Sequence, residues 1–119
     1  MICPPGTVYD IIADQGATFM RTIFLKSSKK APISLTNYTG RMHIRETVYD
    51  TDIIEAQTTA NGRITIVASA GSITILIPPA DMEAIAPGTY VYDLEVESPQ
   101  GEVTRVVYGK FTVRPEVTK

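Results

Sequence analysis

From Gly88 to Gly109 apolar and polar side chains alternate on either side of a Pro99-Gln100-Gly101 break. That period of two fits strands and does not fit an amphipathic helix. Tyr90, Tyr92, Leu94 and Val96 fall on one face, while Val91, Asp93, Glu95 and Glu97 fall on the other. The pattern predicts two antiparallel strands in a sheet that is wet on one side only. It describes a scaffold rather than a reacting centre.

The chain has 119 residues, 44% of them hydrophobic and 20% charged. This length suits one domain, and the composition is that of an ordinary globular protein. A formal charge of -2 supplies no chain-wide attraction for phosphate backbones or anionic lipid, so neither nucleic acid nor a membrane is an expected partner. Cys3 is the only cysteine, which excludes an intrachain disulfide. No stretch approaches the roughly 20 apolar residues that span a bilayer, and the N-terminal residues carry no basic, apolar leader. The expectation is a soluble protein made in the cytoplasm.

Pro4, Pro5 and Gly6 disfavour helix and ladder pairing, so residues 1–7 read as an extended arm that reaches a neighbour. Strands are expected over 8–14 and 17–26, with Gln15-Gly16 between them. In the second of these, Phe19, Ile23 and Leu25 share a face with Arg21, and Met20 and Phe24 share the other with Thr18 and Thr22. Either face can be the inner one; a bulge or partial burial of both would reconcile them. A basic loop over 26–32 follows, then a strand over 38–47 with Arg41, His43 and Arg45 outside and Met42 and Ile44 inside. Three strands, over 53–58, 63–68 and 72–77, are expected as a meander reversing at Asn61-Gly62 and Ala70-Gly71. Residues 80–85 alone have helical character, for one or two turns. After the hairpin, Phe111 to Val113 extend the last strand and residues 114–119 form a tail. The fold class is therefore all-β: an antiparallel, immunoglobulin-like β-sandwich of about seven to eight strands over 8–113, with one short helical turn.

The order of these features resembles small immunoglobulin-like virion proteins of long-tailed bacteriophages, collar and baseplate subunits and the N-terminal domains of upper baseplate proteins. The resemblance rests on residues 14–19, 35–45, 61–66, 87–94 and 106–109 and spans most of the chain. It implies a subunit of a ring around a phage tail that anchors fibres or receptor-binding parts. Its partners would be tube, baseplate or fibre components and copies of itself, and its location the virion tail. The chain ends soon after the sandwich, at Lys119, without the extension of the larger baseplate relatives.

Candidate chemistry is sparse, and no catalytic residue, cofactor-binding residue, metal ligand or small-molecule substrate is expected. His43 lies between two cationic neighbours with no nucleophile at a strained elbow. Asp50, Asp52 and Glu55 have a spacing that attracts a hard cation, but the glycine and further ligands of a calcium loop do not follow, so a solvated turn is expected. Lys26, Lys29 and Lys30 lack interleaved aromatics and read as a solubilising loop. Tyr90 and Tyr92 read as core residues, one of them a corner tyrosine bonded back to the backbone.

The more informative constellation is electrostatic. In immunoglobulin-like topology the strand of Arg41, His43 and Arg45 lies beside that of Asp93, Glu95 and Glu97, which pairs with that of Arg105. Opposite charges on one face either stabilise the sheet, at about 0.2–1 kcal/mol each, or orient one subunit against the next. These seven residues, with Cys3, Pro4 and Pro5 of the arm, are the candidate interface. The alternative function is a stand-alone carbohydrate- or protein-binding module using loops around Lys29, Asp50 and Gly101.

Overall fold

The computed structural model describes residues 2–3, 6–26, 34–49 and 53–117. In chain order the strands are β1 (Ile2–Cys3), β2 (Thr7–Val8), β3 (Ile11–Asp14), β4 (Phe19–Leu25), β5 (Thr39–Arg45), β6 (Glu55–Thr58) and β7 (Ile64–Val67). A 3-10 turn, Ala68–Ala70, then leads to β8 (Ser72–Ile77), helix α1 (Pro79–Ala84), β9 (Gly88–Glu97) and β10 (Val103–Arg114). Eight of these strands have four or more residues, and the sequence pattern alone locates that set. The 3-10 turn is a second helical turn that composition gave no reason to expect.

The strands form a sandwich of two sheets. One has the order β1-β4-β8-β7; the other has β2-β10-β9-β5-β6, with β3 also paired to β10. Three features differ from the sequence expectations. The segment expected as a free arm contributes strands to both sheets, β1 running parallel to β4 and β2 parallel to β10. Its described residues are therefore held by the chain's own ladders; Pro4 and Pro5 lie outside the described residues. The expected strand over 8–14 is two strands separated at Tyr9 and Asp10, where the Asp10 carboxylate accepts the Lys110 N–H at 2.9 Å in place of a backbone acceptor. The expected meander is also broken, because β6 pairs β5 in one sheet while β7 pairs β8 in the other.

Asn61-Gly62 is thus a corner between sheets. Asn61 Oδ1 accepts the N–H groups of Thr58 and Arg63, both at 3.0 Å, and Gly62 takes a φ of 78°. An Asx-type turn followed by glycine satisfies the backbone while the chain leaves one layer for the other. At the other end, Pro78 and Pro79 stop β8 and start α1, whose first turn loses nothing by the missing proline N–H.

Between the sheets lie Ile23, Ile44, Ile73, Ile75, Leu94 and Phe111, all fully buried. Each contributes about 1.5–3 kcal/mol through loss of water-exposed apolar area. Phe111 meets Phe19 and Tyr92 edge-on, at ring-centre distances of 5.5 and 6.2 Å. Strand β4 turns Phe19, Ile23 and Leu25 inward without a bulge. Arg21 shares that face because it lies at the margin of the core: its guanidinium rests 5.2 Å from the Phe19 ring centre and 5.7 Å from that of Tyr9, and donates to the Tyr9 hydroxyl. The cation keeps its charge near the edge while its stem packs.

The ends of the last strand pair are tied as a corner. The Tyr90 hydroxyl donates to the Ala86 carbonyl at 2.6 Å, and that of Tyr92 donates to the Tyr9 carbonyl. Residues assigned to a tail begin inside the fold, since Arg114 ends β10 and holds Asp14 through Nε at 2.7 Å, and the Glu116 N–H reaches Gln15 Oε1.

Candidate functional site

The outer wall of the six-stranded sheet carries the charged residues singled out from sequence. Register places His43 opposite Asp93 and Arg41 opposite Glu95 between β5 and β9. Glu95 is in turn opposite Arg105 of β10, so Arg41, Glu95 and Arg105 form one cross-strand row. Arg41 bridges two carboxylates, Nε to Glu95 at 3.0 Å and Nη1 to Glu97 at 3.2 Å. These groups are about one-third or more exposed, which limits each bridge to roughly 0.2–1 kcal/mol.

One row further on, a hollow of about 540 Å³ opens around His43, Arg45, Asp93, Arg105 and Tyr108, lined also by Val91 and Gly109. A β-bulge lies beside it, between Arg105 and Tyr108. The register of β10 against β9 shifts between Arg105 and Val107, so Val106 and Val107 both face the core. The phase of the strand changes there, and Arg105 and Tyr108 both point outward with the guanidinium 3.8 Å from the ring centre. Unbulged alternation would put Tyr108 on the same face as buried Val106. The Val106-Val107 doublet was the signal in the sequence; only the register fixes where the extra residue sits.

Arg45 Nη2 lies 3.4 Å from His43 Nδ1. Arginine has no acceptor, so in this contact the guanidinium is the donor. Burial and, second, the neighbouring Glu95 push the Asp93 carboxyl above its ordinary value, opposed by Arg105, His43 and Arg45. The native state therefore holds this proton more tightly than the unfolded chain, and ionised Asp93 works against folding at neutral pH. Stability attributable to the group rises as pH falls through the window between its raised native value and the ordinary 3.8. Asp93→Asn should be at least as stable as the parent at neutral pH, with the difference closing in acid. Urea midpoints across that range check this; an Asn variant clearly weaker at neutral pH would mean that the surrounding cations outweigh burial.

Of the ten candidate interface residues, seven are brought together on this wall: Arg41, His43, Arg45, Asp93, Glu95, Glu97 and Arg105. Cys3 is not among them; it is in β1, opposite Leu25 in the four-stranded sheet. Pro4, Pro5, Lys29, Lys30, Asp50 and Asp52 lie outside the described residues. Glu55 accepts a hydrogen bond at 2.8 Å from the fully buried Gln57, beside the Arg63–Asp81 ion pair. Burial and then Asp81 raise its pKa. Among the described residues no group of three or more His, Cys, Asp or Glu side chains converges to hold a metal. The chemistry the charged wall offers is recognition: ion pairing, hydrogen bonding and one cation-covered aromatic.

No family model and no curated protein matches this sequence. Among solved structures the chain is similar to CopC from Methylosinus trichosporium OB3b, at 18% identity and a TM-score of 0.41 over 67% of this chain and 66% of that one. The chain thus spans slightly less than two-thirds of that structure.

Proposed function

We propose that this protein is a structural, non-enzymatic subunit of a bacteriophage tail, part of a collar or baseplate ring that anchors fibres or receptor-binding parts. The observation that carries an assembly role is the wall of β5, β9 and β10, where charges of both signs stand in fixed register around Asp93. A mixed-sign patch on a rigid sheet selects the orientation of a neighbour and penalises wrong registers more than it adds raw affinity. The resemblance of residues 35–45 and 87–94 to phage collar and baseplate subunits is what names the particle. Association takes place in closed cyclic symmetry, because an open head-to-tail contact grows filaments. The partners are other tail proteins and copies of the chain, in the virion.

The test has two arms. Mass spectrometry of purified virions should find the protein in the tail fraction, and its absence there ends the phage reading. Asp93→Lys, which places a fourth cation among Arg41, Arg45 and Arg105, should melt within a few degrees of the parent yet lose about tenfold or more in incorporation. Undiminished incorporation would remove the wall as the interface.

A second reading, a stand-alone carbohydrate- or protein-binding module, draws on the hollow beside Tyr108. Arg105 already covers that ring, which leaves less of the aromatic face for a sugar to stack on. Saturable glycan binding by a monomer that ignores tail components would favour it.

A further inference from the structure

Two opposite charges line the hollow on the charged wall without meeting each other. Ion pairs among the described residues engage Arg41, Arg63 and Arg114. Neither Asp93 nor Arg105 enters one, and neither side chain makes a hydrogen bond within that set. They stand in adjacent rows of one ladder, Asp93 opposite Tyr108 and Arg105 opposite Glu95. Glu95 is claimed from its other side by Arg41 at 3.0 Å. Arg105 instead lies over the Tyr108 ring, 3.8 Å from its centre. At that separation only face-to-face stacking avoids a clash, so the guanidinium N–H groups point outward around the edge of its plane.

Asp93 is half-buried, with His43 opposite it on β5 and Tyr108 opposite it on β10. Arg105, His43 and Arg45 act on its carboxyl only through their fields, and these are outweighed by burial and Glu95. A carboxylate desolvated with no donor in contact costs stability, and such costs concentrate at binding sites.

We propose that the hollow is a binding site for a small zwitterion of the amino-acid class, its carboxylate received by Arg105 and its ammonium by Asp93. The charge balance selects this class. The lining holds two arginines, Arg45 and Arg105, and two carboxylates, Asp93 and Glu95. A plain anion or cation would gain one partner and meet one like charge, whereas a zwitterion meets an opposite charge at each end. The edge of a stacked guanidinium offers a carboxylate two parallel N–H···O bonds, and an ionised carboxylate accepts from the three donors of an ammonium. Because Asp93 and Arg105 do not touch, the ligand spans a gap, as an ω-amino acid does. Val48 and Val91 supply apolar lining for the methylenes between its charges. The volume of about 540 Å³ lies in the range of roughly 300–1,000 Å³ usual for small-molecule sites.

NMR titration of the full chain with γ-aminobutyrate, butyrate and butylammonium at one ionic strength tests this. The zwitterion should give saturable amide shifts over residues 91–93 and 105–109, with a dissociation constant on the order of 1 mM. Each singly charged probe should bind about tenfold more weakly or worse. Asp93→Asn should abolish the preference over butyrate, and Arg105→Gln the preference over butylammonium. Neither substitution removes a hydrogen bond or ion pair of the fold, so both variants should keep the parent's spectrum elsewhere. Arg105→Lys, which retains the charge without the planar fork, should weaken binding about threefold or more. A parent with no saturable shift by about 50 mM overturns the proposal. So do equal affinities for the three probes, shifts centred away from the hollow, or zwitterion binding that Asp93→Asn and Arg105→Gln leave intact. The site does not depend on the tail assignment: binding is read on the isolated chain and incorporation on the virion, so either can fail alone.

Discussion

Phe111→Ala should cost about 3–5 kcal/mol of folding free energy, a large share of the margin of a domain this size. Phe111 is fully buried and lies edge-on to both Phe19 of the four-stranded sheet and Tyr92 of its own. Truncation removes apolar area, two aromatic contacts and the filler between layers, and β10 runs against β9 and β3 on its two sides, so its backbone has little freedom to collapse into the space. A fall in denaturant midpoint at unchanged m-value measures the loss. A cost below about 1 kcal/mol would show that the two sheets close over the gap.

Gly109→Ala is the second large effect, expected at about 2–4 kcal/mol. Gly109 has a φ of 153°, and a Cβ there would lie 2.5 Å from Asp10 Oδ1 and 3.0 Å from the Tyr9 carbonyl oxygen. That carbonyl accepts the Tyr92 hydroxyl, and Asp10 Oδ1 accepts the Lys110 N–H, so the crossing between β2 and β3 rests on the missing side chain. Gly62→Ala is the control: its φ is 78° but nothing lies within 4 Å of the added carbon, so only backbone strain, about 1–2 kcal/mol, applies. Equal losses at the two positions would mean that the close approach of Tyr9 and Asp10 contributes nothing.

Much of the architecture follows from alternation. The inward set Tyr90, Tyr92, Leu94 and Val96, the outward set Arg41, His43 and Arg45, and the bounds of β8 are local consequences of a period of two and of turn residues at fixed places. Where both faces of a strand are apolar, alternation does not choose. On β4 the choice was made by Arg21, which tolerates the inner face only because Phe19 and Tyr9 flank it at the rim, and Met20 and Phe24 were left outside as a consequence. The corner at Asn61-Gly62 shows the same limit. Its residues specify a turn, and whether the turn closes a hairpin or changes layer depends on which strand β7 meets.

The amino-acid sequence by itself determined a β-sandwich with its longer strands, the inner faces of β5 and β9, and the charged set of Arg41, His43, Arg45, Asp93, Glu95, Glu97 and Arg105, because each depends on neighbours within a few residues. The tertiary structure alone decided that the N-terminal residues join both sheets and that a bulge between Arg105 and Val107 lifts Tyr108 beside Arg105. Those are matters of pairing between residues far apart in the chain. Ladder hydrogen bonds and packing set such pairings, and local pattern carries no information about which distant strand satisfies them.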